Sequence, residues 1–240
     1  SWKTIILNYR IPKAITAILV GSGLSISGLL MQTLFRNPLA GPFVLGISSG
    51  ASLGVALLIL GSSLIGRISG LAFSNFGMAI AASLGAFLVL SAVLIAANKV
   101  RNTMSILIIG LMFGSITSAI ISVLSYFSSA EQLQQFIFWG FGSLGNLSWN
   151  ELKVFGLIFF VGISLLAFII KPLNSLLLGE NYAKSVGINI KFTRNITLII
   201  TSILTGVITA FSGPIAFVGL AVPHLTKLIF NTSNHKILIP

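Results

Sequence analysis

The chain has 240 residues, of which 55% are apolar and only 7% charged, and its mean hydropathy is +1.06. Soluble domains carry about a quarter charged residues, so a soluble globular enzyme is excluded, as is disorder, which needs low hydrophobicity. The net charge of +11 reflects 14 Lys and Arg against three acids, and the absence of cysteine removes disulfides, thiolate metal sites and a cysteine nucleophile.

A membrane-spanning helix needs about 20 mainly apolar residues. Uncharged runs of that length predict crossings over 12–35, 43–62, 72–97, 105–127, 152–170, 194–212 and 214–230, the last two separated at Ser212-Gly213-Pro214. The expectation is an all-α integral membrane protein: a polytopic helical bundle with about seven crossings, in one transmembrane domain over 1–240. The first run is too long for a signal-peptide core, and Leu34-Phe35-Arg36-Asn37-Pro38 follows where small residues would mark cleavage. The runs are continuous rather than alternating, which argues against a β-barrel.

The basic residues stand singly between apolar runs, so they form no nucleic-acid-binding stripe and read instead as topological charges. Alternating crossings place Arg36, Lys99, Arg101, Lys171, Lys184, Lys191, Arg194, Lys227 and Lys236 on one side. Lys3, Arg10, Lys13, Arg67 and Lys153 fall on the other. The richer side is predicted to be cytoplasmic, with the start of the chain outside and its end inside. An outside start without a preceding signal, and a new apolar run beginning within Asn234–Pro240, predict a chain that lacks a first crossing and is cut at its end.

Small residues recur at four-residue spacing: Gly46, Gly50 and Gly54; Gly110 and Gly114; Ala17, Gly21 and Ser25; Ser202, Gly206 and Ala210. In lipid, close backbone approach is a main driver of helix association. Each set reads as helix packing within the bundle, or alternatively as a dimer seam or pathway wall, with Gly110 and Gly114 the first candidates for the latter.

Several chemistries lack their residues. No phosphate-cradling GxxxxGK[ST] or zinc-binding HExxH is present, no Asp occurs, and the two histidines are His224 and His235. The three acids, Glu131, Glu151 and Glu180, all fall in predicted connections, whereas ion-coupled transport and membrane catalysis call for ionisable groups inside the bundle. The energy source is therefore expected in a partner subunit. His224 follows Pro223 on an apolar segment and reads as a structural hydrogen bonder; no metal or cofactor is assigned. A permease for bare metal ions would need His or carboxylates along a crossing, and a non-transporting scaffold or intramembrane enzyme is the rival from another class.

Two connections are not generic. One reads Gly28-Leu29-Leu30-Met31-Gln32-Thr33-Leu34-Phe35-Arg36-Asn37-Pro38-Leu39-Ala40-Gly41-Pro42 and continues Leu45-Gly46-Ile47-Ser48-Ser49-Gly50-Ala51. Pro38 forbids the helical conformation at Asn37 and stops the helix in a sharp reversal. The other, 173–187, is too polar and short to cross. Asn174 is predicted to cap one short helix, Gly179 to end it, Glu180 to open a second and Gly187 to close it. That describes a rigid knob, open on residues alone between a solvated loop and a docking site.

With Arg10-Ile11-Pro12-Lys13 and Phe217-Val218-Gly219-Leu220-Ala221-Val222-Pro223-His224, these segments resemble the FecCD family of ABC-importer permeases, in order and approximate spacing from residue 10 onward. The resemblance implies a bundle of the type II ABC importer kind, here without the family's first and last two helices. It implies a homodimer, two separate ATPase subunits, an extracytoplasmic binding protein, a multi-pass location in the bacterial inner membrane, and a ferric siderophore, haem or cobalamin as cargo. It also implies that 173–189 is a cytoplasmic coupling-helix segment that docks the ATPase through Leu178, Gly179, Glu180, Ala183, Ser185 and Gly187. Asn37 and Leu39 become candidates for a cytoplasmic gate, with Thr103 a weaker match because Met104 stands beside it. Arg10 and Lys13, otherwise snorkelling interface anchors, become candidates for docking the binding protein; Lys13 offers a point charge where the family has a second Arg.

Overall fold

In a computed structural model, the described residues are 2–61, 75–100, 103–145 and 147–240. They form helices and turns, with no strand among them. Eleven segments carry labels here: α1 (Trp2–Phe35), α2 (Ile47–Ile59), α3 (Asn75–Lys99), α4 (Thr103–Tyr126), α5 (Ala130–Gly140), α6 (Trp149–Leu166), α7 (Ile170–Leu177), α8 (Glu180–Ser185), α9 (Ile190–Ser212), α10 (Val218–Phe230) and α11 (His235–Leu238). Among the described residues α1, α3, α4, α6 and α9 are long and apolar enough to span a membrane, while α2 and α10 are apolar but only 13 residues each.

The predicted crossings at 43–62 and 214–230 are therefore shorter helices preceded by irregular chain. Before α2, a 3₁₀ turn over Pro42–Leu45 ends at Gly46 in the left-handed region. Before α10, Phe217 stands at φ +66°. The first break is enclosed by protein, with Pro42, Leu45 and Gly46 buried, the condition under which non-helical backbone is tolerated at membrane depth, whereas at the second Ala216 and Phe217 are exposed. In the other direction, α1 starts ten residues earlier than predicted and runs through Pro12. Proline has no N–H to give, and the preceding turn widens to a π-helix over Ile6–Arg10, in which the Ile11 amide bonds the Ile6 carbonyl.

The glycine pattern shows how these helices meet. A Cβ on Gly54 would overlap the Ala81 carbonyl, one on Gly50 would lie 2.6 Å from the Gly85 carbonyl, and Gly46 faces Val89. Rising residue numbers on α2 meet falling numbers on α3, so the two are antiparallel and pressed backbone to backbone. Gly110 of α4 abuts the backbone of Val44 and Leu45, and Gly114 faces Ser49, so this pair packs inside the chain. Gly28 of α1 closes on the Gly219 carbonyl of α10. Gly206 meets Ala86, whereas no described atom lies within 4 Å of a Cβ on Gly21, which borders a groove with Ser22, Ser25 and Val222.

Helix α9 runs through the middle, against α1, α2, α3 and α6. Its threonines at four-residue spacing, Thr193, Thr197, Thr201, Thr205 and Thr209, are each at most 1% exposed. Thr193 and Thr197 donate to the carbonyls one turn back, and Thr209 lies 3.4 Å from the Ser48 hydroxyl. A small polar side chain that bonds its own helix packs without leaving a polar group in lipid. The outward faces of α3, α4 and α6 carry exposed Phe87, Leu88, Ile116, Leu157 and Phe160, as a surface solvated by acyl chains requires.

Candidate functional site

The basic residues of the predicted cytoplasmic set gather at one end of the bundle. There α1 ends, α7 and α8 lie across it, and Arg194 donates to the carbonyls of Ala97 and Val100, closing the end of α3. Arg101, assigned to this end by sequence, and Arg67, assigned to the other, lie outside the described residues.

Helix α1 stops at Arg36, a non-glycine residue at φ +49°, ψ +39°, whose amide reaches the Gln32 and Thr33 carbonyls. The turn that follows holds Asn37, half-buried, and Leu39, 70% exposed. The Asn37 side chain accepts the Leu39 amide at 2.9 Å and the Ala40 amide bonds the Asn37 carbonyl at 3.0 Å, so the reversal is fixed by its own polar groups. Thr103 begins α4, but its side chain is outside the described residues.

The segment 173–187 is two short helices. Helix α7 buries Leu173 and Leu176 against the bundle and leaves Leu178 68% exposed at its end. Gly179 then adopts φ +123°, ψ +150°, a conformation closed to residues with a side chain. Glu180 opens α8, where a carboxylate meets the positive helix end. Ala183 is fully buried beneath α8, while Ser185 is exposed and donates to the Tyr182 carbonyl. Gly187, at φ +83° and with open space beside it, closes the helix: its amide bonds Lys184 and that of Ile188 bonds Ala183. The predicted cap at Asn174 is corrected. Helix α7 begins at Ile170, directly after α6 loosens over Ala167–Ile169, so Asn174 lies inside it with its side chain free for tertiary contact.

That contact is with α11. His235 is fully buried. Its Nδ1 lies 2.6 Å and its backbone N 2.9 Å from Asn174 Oδ1, and its Nε2 lies 2.8 Å from Thr33 Oγ1 on α1. Asn174 donates its amide to Asn234 Oδ1, which the Lys236 N–H fixes as an acceptor. Asn174 Oδ1 can then only accept, so the proton of the neutral ring sits on Nδ1, and Nε2 shares the single Thr33 hydroxyl proton with the Leu29 carbonyl, 2.9 Å from the same oxygen. Burial, and secondarily the Lys227 ammonium, push the imidazole pKa down to about 4. Lys227 in turn donates to Gln32 Oε1, and Gln32 donates to the Leu220 carbonyl, so α1 and α10 are joined at the same level.

At the opposite end, Arg10 and Lys13 are exposed beside Tyr9, Ala14, Ala17 and Gly145, around a groove of about 760 Å³. Trp149 donates its indole N–H to the Leu7 carbonyl and the Ser143 amide bonds Ser212, tying the α5–α6 connection to the start of α1 and the end of α9. Two capping boxes, Ser129 with Gln132 and Ser148 with Glu151, start α5 and α6 there. Among the described residues, no three His, Cys, Asp or Glu approach closely enough to hold a metal.

Residues 1–240 match the FecCD transport family. The chain belongs to that family. A candidate ABC transporter permease of Methanocaldococcus jannaschii is 36% identical over 98% of this chain and 67% of its own length. The vitamin B12 import system permease protein of Salmonella newport is 34% identical over 96% of this chain and 68% of its own. A solved structure of a candidate metal-chelate type ABC transporter, in an inward-facing conformation, superposes with a TM-score of 0.89 at 32% identity, covering 99% of this chain and 73% of that one. The protein is thus a multi-pass membrane permease subunit of the ABC transporter type.

Within this FecCD permease, sequence reasoning missed helix α5, Arg36, and the group Asn174, His235, Thr33, Gln32 and Lys227. The Ser129 to Gln132 capping box was a legible start for α5. The polar group had no such signature, because its bonded partners lie up to 202 positions apart.

Proposed function

We propose that the chain is the permease of an ATP-driven importer that carries a metal chelate, of the ferric siderophore, haem or cobalamin kind, into the cytoplasm. Two copies surround the path, two ATPase subunits dock on α7–α8, and a loaded binding protein docks outside over Arg10 and Lys13. Gly46, Gly50, Gly54, Gly110 and Gly114 hold α2, α3 and α4 together inside each copy, and Asn37, Leu39 and Thr103 narrow the inner exit. Cargo of this class is supported by the names of the Salmonella relative and the metal-chelate transporter.

The observation that carries this reading is the knob. Leu178 stands 68% exposed beside the left-handed Gly179 and the start of α8, at the end of the bundle where α1 reverses. An exposed apolar side chain on a rigid corner, flanked by a carboxylate at a helix start, fits a groove on a soluble partner. The test is co-purification of the ATPase with permease carrying Gly179→Ala and Glu180→Lys. Recovery falls roughly tenfold or more if the corner is the anchor; undiminished recovery overturns the reading.

A further inference from the structure

Two separate bonds tie α7 to the last turn of α1. Near the middle of α7, Asn174 holds His235, which holds Thr33. At its end, the Arg36 guanidinium donates through Nη2 to the Leu176 carbonyl at 3.1 Å. The same Nη2 lies 3.6 Å from where a Cβ on Gly179 would sit, so the guanidinium covers the corner of the knob. Thr33 and Arg36 are one turn apart, and the chain passes from Arg36 directly into the turn of Asn37 and Leu39. Arg36 is held at φ +49°, and two carbonyls, those of Gln32 and Thr33, fix its amide. A non-glycine residue in that conformation persists only where its surroundings specify it.

We propose that Arg36 is the positioning residue that makes the knob and the gate turn move as one lever. This rests on the docking and gating roles proposed above. The Leu176 carbonyl at the end of α7 already accepts the Gly179 amide at 3.1 Å, and the Arg36 guanidinium, which stays charged and offers several donors in a fixed plane, takes its second lone pair, so one carbonyl ties Arg36 to the Gly179 corner. Displacement of α7–α8 by the ATPase therefore pulls on the backbone one residue before Asn37. Without the guanidinium, the Asn174–His235–Thr33 bond still holds α7 to α1, but the corner at Gly179 is released from the turn.

The experiment uses the permease assembled with its ATPase and binding protein in proteoliposomes, with cyanocobalamin, haem and a ferric hydroxamate supplied in turn as cargo. Because the sequence lacks cysteine, a single spin label at Leu39→Cys reports the gate turn. Arg36→Ala is expected to keep the bound ATPase and its turnover within about twofold, while cargo moved per ATP falls about tenfold, as a lost bond from a charged donor allows. The label then stops responding to nucleotide. Arg36→Lys, which keeps the charge but loses the planar fork, lies between, and serves as the deciding variant by the same ratio if Arg36→Ala does not fold. Unchanged cargo per ATP with a responsive label overturns the lever. So does a loss of ATPase in proportion to transport, which marks a structural contact alone. Failure of the unmutated assembly to bind ATPase, or of its label to respond, overturns the underlying docking or gating role, and the lever with it.

Discussion

His235 gives the sharpest quantitative test. The ring is fully buried, and burial together with Lys227 lowers its pKa from 6.5 to about 4. The native state therefore binds fewer protons than the unfolded chain at pH values between those two, so stability rises with pH across that window and is lost on acidification. The linkage relation gives a loss of about 2 kcal/mol between pH 7 and pH 5, approaching about 3 kcal/mol near pH 4. The first segment to yield is α11, because protonation places a charge among Asn174, Thr33 and the nearby Lys227 ammonium. The chain has two histidines, so selective ¹³C labelling of imidazoles in micelles yields two signals, assigned with His224→Gln. His235 is expected to stay neutral down to about pH 5, with faster amide exchange in α11 at pH 5 than at pH 7 after correction for intrinsic rates. A His235 signal that titrates at 6.5 or above would refute the argument, since the burial and the fixed tautomer would then not govern the ring.

Three further outcomes follow from the same geometry. Gly54→Val forces α2 off the Ala81 backbone of α3, and an overpacked contact of this kind costs roughly 1–3 kcal/mol, read as a lower melting temperature in detergent; Gly21→Val, beside open space, leaves it unchanged. Ser148→Ala removes the cap of α6 at about 1 kcal/mol, read by the same melting assay. Arg10→Glu with Lys13→Glu is expected to slow association of the binding protein about tenfold or more at low salt and less at high salt, the mark of steering between exposed charges; an association rate indifferent to both substitutions removes these residues from the docking surface.

The composition and the apolar runs determined, without any structure, that the chain is a helical membrane bundle, because about 20 apolar residues in succession have few other stable states. The knob was legible for the same local reason: Gly179, Glu180 and Gly187 encode helix ends through their own backbone conformations and charge. The short α2 and α10 were not, since a hydropathy run does not distinguish a spanning helix from an irregular stretch followed by a shorter one. The glycine stripes also read alike in sequence, yet Gly54 is pressed against α3 and Gly21 faces a groove, because which face of a helix is covered depends on its neighbours. Asn174 shows the limit most plainly: a residue type that caps helices instead lies within one and holds a histidine 61 positions away. Arg36 and His235 acquire their partners only when α7 and α11 fold back on the end of α1, a decision made by tertiary packing over distances along the chain that no local pattern records.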